Sequence, residues 1–248
     1  MKYVIEQINV YRDNKKIYSE YYIPDVDSYS VTVFSHGLGG VCEGSKDLAE
    51  YFAQRGIGAF IFDFCGGSNE SKSDGKTTEM SVLTEADDLC AVIDYLKEDK
   101  RIKNVYLVGK SQGAFVSTIV ADRRPDDIKA LVGLYPGFVL DDLVKEEVKK
   151  YEVLPEEIEV LWLNVGRNYL EDIINNDIYE TMKRVDKDIL LIHGTDDEVV
   201  PLDNAIKASE TFPNCELVVL KGAKHGFHGP ERQEVIERTF EFINNHEI

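Results

Sequence analysis

The stretch Val105-Tyr106-Leu107-Val108-Gly109-Lys110-Ser111-Gln112-Gly113-Ala114-Phe115-Val116-Ser117-Thr118-Ile119-Val120 decides how this chain is read. Its first four residues are an apolar run of strand type, and the residues after Gly113 read as a buried helix. Between them stands G-x-S-x-G, the pattern of a nucleophile elbow. A serine at the tip of so tight a turn sits in strained backbone. Side chains two residues before or after it would collide where strand and helix converge, so Gly109 and Gly113 fit there. The helix N-terminus turns its free N–H groups toward the serine and favours a developing anion. Gly109-Lys110-Ser111 also looks like the tail of a phosphate-binding loop. That motif needs glycine at position 104, where this chain has Asn104, and a loop rather than a strand over 105–108.

The chain has 248 residues, a length that suits one large α/β domain over 1–248. Its net charge of −18 repels nucleic acid and anionic membranes. The same charge disfavours strongly anionic substrates unless a local basic pocket overrides it. Cys42, Cys65, Cys90 and Cys215 form no metal-ligand spacing and read as buried free thiols. The N-terminus has no secretory h-region and no apolar run reaches transmembrane length, so a cytoplasmic location is expected.

Outward from the elbow, strands and helices alternate. Residues 3–11 and 16–23 read as a hairpin turning at Asp13-Asn14-Lys15. Val31–Phe34 is a buried strand that runs into His36-Gly37-Leu38-Gly39-Gly40. Ser45 to Arg55 is an amphipathic helix closed by Gly56, and Gly58 to Phe62 is a strand. Asn69 to Thr78 reads as a surface loop. Thr84-Glu85-Ala86-Asp87 resembles a capping box before a helix over 88–97. Strands follow at 128–134, 189–192 and 216–220. Helices open at Pro201 and after Gly229-Pro230. The pattern predicts a largely parallel sheet with helices on both faces. Residues 136–180 break the rhythm and read as a cap inserted over the C-terminal edge of the sheet.

A serine nucleophile needs a histidine base and a carboxylate to orient it. In a strand–elbow–helix fold the acid precedes the histidine, and both follow the serine. The acid lies in His193-Gly194-Thr195-Asp196-Asp197-Glu198-Val199-Val200-Pro201, where three carboxylates compete. The histidine lies in Lys221-Gly222-Ala223-Lys224-His225-Gly226-Phe227-His228, where small residues flank His225.

These motifs resemble those of the α/β-hydrolases, over almost the whole chain. Within that superfamily the chain resembles small bacterial carboxylesterases that include feruloyl (cinnamoyl) esterases. The likeness lies in the His36-Gly37 loop, Asp63-Phe64-Cys65-Gly66, the elbow, and Asn176-Asp177-Ile178-Tyr179-Glu180. It extends to His-Gly-x-x-Asp-x-x-Val-Pro and Gly-Ala-x-His-Gly-Phe. The resemblance implies that Ser111, Asp197 and His225 are catalytic. It implies an oxyanion hole from the N–H groups of Leu38 and Gln112, with His36 bracing the loop. Family members often carry an aromatic residue at the position of Leu38 and Gly-His-Gly where this chain has Gly66-Gly67-Ser68. The expected substrates are small or aromatic acyl esters. A peptidase, a thioesterase or acyltransferase, and a non-catalytic binding protein are the rival readings. Neither metal nor organic cofactor is expected, and a homodimer is allowed. Among the aromatics of the insertion, Phe138, Trp162 and Tyr169 are the candidates to face substrate. Most of that set, which includes Tyr151 and Tyr179, is expected to bury the insertion against the body instead.

Overall fold

The computed structural model describes residues 1–247. Strands β1 (Tyr3–Arg12) and β2 (Lys15–Pro24) form the antiparallel hairpin, and Asp13 takes a left-handed φ of 53° at its turn. Next come β3 (Tyr29–Ser35), α1 (Lys46–Ala53), β4 (Gly58–Phe62), α2 (Val82–Lys97), β5 (Ile102–Lys110), α3 (Gln112–Arg123) and β6 (Ala130–Leu134). An excursion of α4 (Val139–Val148), β7 (Glu157–Val160), β8 (Leu163–Gly166), α5 (Arg167–Ile174) and α6 (Ile178–Met182) follows. The chain then completes β9 (Asp188–Gly194), α7 (Leu202–Thr211), β10 (Cys215–Leu220) and α8 (Glu231–Asn245).

Eight strands make one sheet in the order β1-β2-β4-β3-β5-β6-β9-β10. β2 pairs antiparallel with both β1 and β4, and every other pairing is parallel. Alternation along each central strand divides the core in two. Val31 and Val33 of β3, with Val105 and Leu107 of β5, face the layer built by α2 and α3. Phe34, Tyr106 and Val108 face the opposite layer, built by α1 and α8. Burial of each such side chain stabilises by about 1.5–3 kcal/mol. This is the alternating α/β architecture that the sequence predicts.

Two local readings change. α2 begins at Val82, not Asp88, because Ser81 is its N-cap. The Ser81 side chain accepts from Thr84 N–H, and Thr84 Oγ1 accepts from Ser81 N–H, so Thr84 is the third residue of the box rather than its start. The loop over 69–78 is also less superficial than its polarity suggests. Lys72 N–H donates to the buried Asp63 carboxylate, and Ser73 Oγ donates to Asp63 O.

The 136–180 segment packs on the α2–α3 side of the sheet. Phe138, Leu140, Val144, Tyr169, Leu170, Ile173 and Ile178 belong to the same apolar cluster as those helices. Its β7–β8 ribbon turns at Leu161 (φ 57°) and Trp162, both exposed. No helix among the described residues is long and apolar enough to cross a membrane.

Candidate active site

The C-terminal ends of β3, β5, β6, β9 and β10 converge on one edge of the sheet, where open α/β sheets place their sites. At the end of β5, Ser111 has φ 51° and ψ −120°, a conformation that side chains rarely adopt. Its neighbours impose it. A Cβ on Gly109 would lie 2.4 Å from Ala114 backbone, and one on Gly113 would lie 2.4 Å from Ser35 O in β3. The second glycine is therefore demanded by the adjacent strand as well as by the turn. Ser111 N–H donates to Leu134 O at 3.0 Å, and Gly137 N–H donates to Ser111 O at 2.9 Å. The elbow is thereby tied to β6 and to the start of the 136–180 segment.

Past β9 the chain turns sharply around Asp197, whose side chain is fully buried. Its Oδ1 accepts from the N–H groups of Val199 (2.9 Å) and Val200 (2.8 Å). Its Oδ2 receives Nδ1 of His225 at 2.8 Å. Burial works to raise the Asp197 pKa. The hydrogen bonds from His225, Val200 and Val199 outweigh it, and the carboxyl titrates below the usual range. His193 Nε2 also approaches Oδ2, at 3.4 Å, while bonding Val200 O at 2.9 Å. Asp196, one residue earlier, is exposed and among the described residues accepts only from Thr195 Oγ1. The structure thus sets Asp197, and not Asp196, against the histidine.

His225 leans on Tyr135, which follows β6 in a strained φ of 38°; their rings meet edge to face at 4.6 Å. Tyr135 in turn packs on Phe227 at 5.0 Å. Ser111 and His225 line the same cavity, of about 730 Å³. Among the described residues no hydrogen bond joins Ser111 Oγ to His225. Such bonds are often long in unliganded sites and tighten when substrate arrives.

The His36–Gly40 loop closes over the serine. A Cβ on Gly37 would stand 2.9 Å from Ser111 Cβ. His36 bonds Gly37 O through Nδ1 (2.8 Å) and accepts Phe64 N–H at Nε2 (3.0 Å). Burial lowers its pKa, so the ring is a neutral brace. The N–H groups of Leu38 and Gln112 have no acceptor among the described residues.

The candidate aromatics divide. Trp162 is 55% exposed, lines the cavity, and donates from Nε1 to Leu38 O at 3.3 Å. Phe138 is fully buried between Phe115 and Phe212, outside the cavity lining. Tyr169 is fully buried too. Its hydroxyl donates to Gln112 Oε1 (2.7 Å), and Gln112 Nε2 donates to Glu85 Oε2 (2.8 Å). Burial pushes Glu85 up to about 8, so it is protonated at neutral pH. Tyr135, Glu85 and Lys110 were not legible as site residues. Tyr135 carries no motif, Glu85 stands in what reads as a capping box, and Lys110 occupies a variable position of the elbow pattern and of a false phosphate loop.

Residues 27–170, more than half of the chain, match the family described as serine aminopeptidase, S33. Human mitochondrial palmitoyl-protein thioesterase ABHD10 is 26% identical over 213 residues, 79% of this chain; the match spans only 66% of that protein's length. The bifunctional esterase/perhydrolase DCH of Acinetobacter calcoaceticus is 24% identical over 205 residues, 64% of this chain and 73% of that one. The solved structure of Est1E from Butyrivibrio proteoclasticus with bound ferulic acid superposes with a TM-score of 0.87 at 23% identity. That superposition covers 96% of this chain and 98% of Est1E, and at such identity the likeness is one of fold. The sheet order, the elbow and the matched family agree: the chain belongs to the α/β-hydrolase superfamily, in the serine aminopeptidase S33 family.

Proposed function

We propose that this hydrolase is a serine carboxylesterase acting on small or aromatic acyl esters. The observation that carries the reading is the His225–Asp197 hydrogen bond, set over the same cavity as the strained Ser111. Ser111 Oγ attacks the ester carbonyl while His225 takes its proton. Asp197 fixes the imidazole tautomer and stabilises the imidazolium. The N–H groups of Leu38 and Gln112 hold the oxyanion, worth a few kcal/mol. The C–O bond breaks, and His225 returns the proton to the leaving alcohol. Water, activated by His225, then releases the acid and restores Ser111.

The 136–180 segment acts as a cap. Trp162, held against Leu38, offers an aromatic face beside the nucleophile, which suits a planar acyl group. The ferulic acid bound to Est1E is consistent with hydroxycinnamate esters as substrates here. The likeness to ABHD10 favours thioesters as a second class for the same three residues.

The test is kcat/KM for p-nitrophenyl butyrate, methyl ferulate, p-nitrophenyl palmitate, an S-butyryl thioester and an aminoacyl anilide. Butyrate or ferulate should lead and palmitate should trail. A leading palmitate would refute the small acyl pocket, and a leading anilide would restore the peptidase reading.

A further inference from the structure

Two unlike groups of residues line the cavity beside Ser111. In one, Trp162 is bonded to Leu38. In the other, Lys110 and Arg232 meet at Gly44, with Asp47 on Arg232. Lys110 is the second residue of the G-x-S-x-G pattern, and it is only 6% exposed. Its ammonium donates to Gly44 O at 2.7 Å. Among the described residues no carboxylate lies within 4.0 Å of it. An ammonium carries three donors, so two remain unspent at the cavity wall.

The neighbouring acids are already engaged. Asp47 is held by Arg232 at 2.7 and 2.8 Å, and Glu43 by Lys72 at 2.6 Å. Arg232 Nη2 also donates to Gly44 O, at 3.1 Å, which brings the two cations to one carbonyl. A buried cation without a counter-ion is costly to keep. Burial brings Lys110 down to about 7, so an arriving anion would restore its charge.

The histidine that serves the leaving group lies on the same stretch of chain as Arg232. In the reaction proposed above that group collects its proton from His225. The loop that carries His225 runs directly through His228 into α8 and Arg232, and all three residues line the cavity.

Resting on the esterase reading, we propose that Lys110 and Arg232 form a subsite for an anionic oxygen-acid group, carboxylate or phosphate, on the leaving-group side of the substrate. The enzyme then selects esters by the charge of the alcohol they release. This local basic site counters the repulsion that a net charge of −18 imposes on anionic substrates.

The test compares 3-carboxyphenyl butyrate with its neutral analogue 3-carbamoylphenyl butyrate, each kcat/KM divided by the ester's rate with hydroxide. The wild-type protein should favour the carboxylate by about tenfold or more, the scale of one charge-assisted hydrogen bond. The preference should fall toward unity in Lys110→Met and persist in Lys110→Arg. Inorganic phosphate and acetate, as competitors of the carboxylate ester, rank the two anion classes. A wild-type ratio at or below one, with the neutral ester cleaved, overturns the subsite and leaves the esterase reading standing. Cleavage of neither ester overturns the esterase reading itself. The wild-type ratio decides even if Lys110→Met fails to fold for want of its bond to Gly44.

Discussion

The elbow and the 136–180 segment meet at Gln112, yet different forces hold them. At the elbow, backbone confronts backbone. Gly109 abuts Ala114, Gly113 abuts the carbonyls of Ser35 and His36, and no side chain could occupy either place. In the 136–180 segment, side chains do the holding. Phe138, Tyr169 and Ile173 enter the core of α2 and α3, while Trp162 stays outside. The first kind of constraint tolerates no substitution and writes itself into sequence as glycine. The second tolerates any apolar residue of suitable volume, and sequence does not record which way a ring points.

Three substitutions, the first with a control at Asp196, sharpen this contrast, taken from the largest effect down. Asp197→Asn should lower kcat for p-nitrophenyl butyrate by on the order of 10⁴, because the imidazole loses its tautomer partner. Asp196→Asn should stay within about twofold, as exposed substitutions do. Equal losses would break the assignment of Asp197. Gly113→Ala should destabilise by about 3 kcal/mol or more, since its Cβ meets backbone oxygens that cannot rotate away. Urea unfolding measures it, and a midpoint near wild type would show that the elbow can yield.

Glu85→Gln probes the junction itself. An unfolded glutamate ionises near pH 4.3, roughly, whereas folded Glu85 stays protonated up to about 8. Ionisation therefore favours the unfolded chain increasingly as pH rises between those values, and levels off above them. Glutamine carries no such penalty. The variant should match wild type near pH 4 and exceed it by a margin that grows with pH to a few kcal/mol at pH 8. Paired unfolding curves at both pH values check this, and an advantage that shrank with rising pH would contradict a neutral Glu85.

Much of the molecule was legible in its sequence. Apolar strands buried on both faces, each followed by a helix, are unmistakable in Val31–Phe34, Val105–Val108 and Ile189–Ile192. Ser111 and His225 stand at strand ends, so their position on the sheet edge follows from chain order. What was hidden depends on contacts between distant segments. The start of α2 is hidden because Val82 and Leu83 carry no helix signal, while Ser81 caps three residues ahead of Thr84. Phe138 and Trp162 are both aromatic, and only packing buries the one and exposes the other. Lys110 points at Gly44, remote in sequence, and no local pattern announces that bond.

The most direct test of the account is the mass of the protein after brief reaction with excess p-nitrophenyl butyrate and acid quench. Wild type should carry a single butyryl group, mapped by peptide sequencing to Ser111, with a matching burst of nitrophenol. Ser111→Ala, shown to be folded, should carry none, and its kcat should fall by about three orders of magnitude or more. An adduct on another residue, or wild-type turnover in Ser111→Ala, would contradict it.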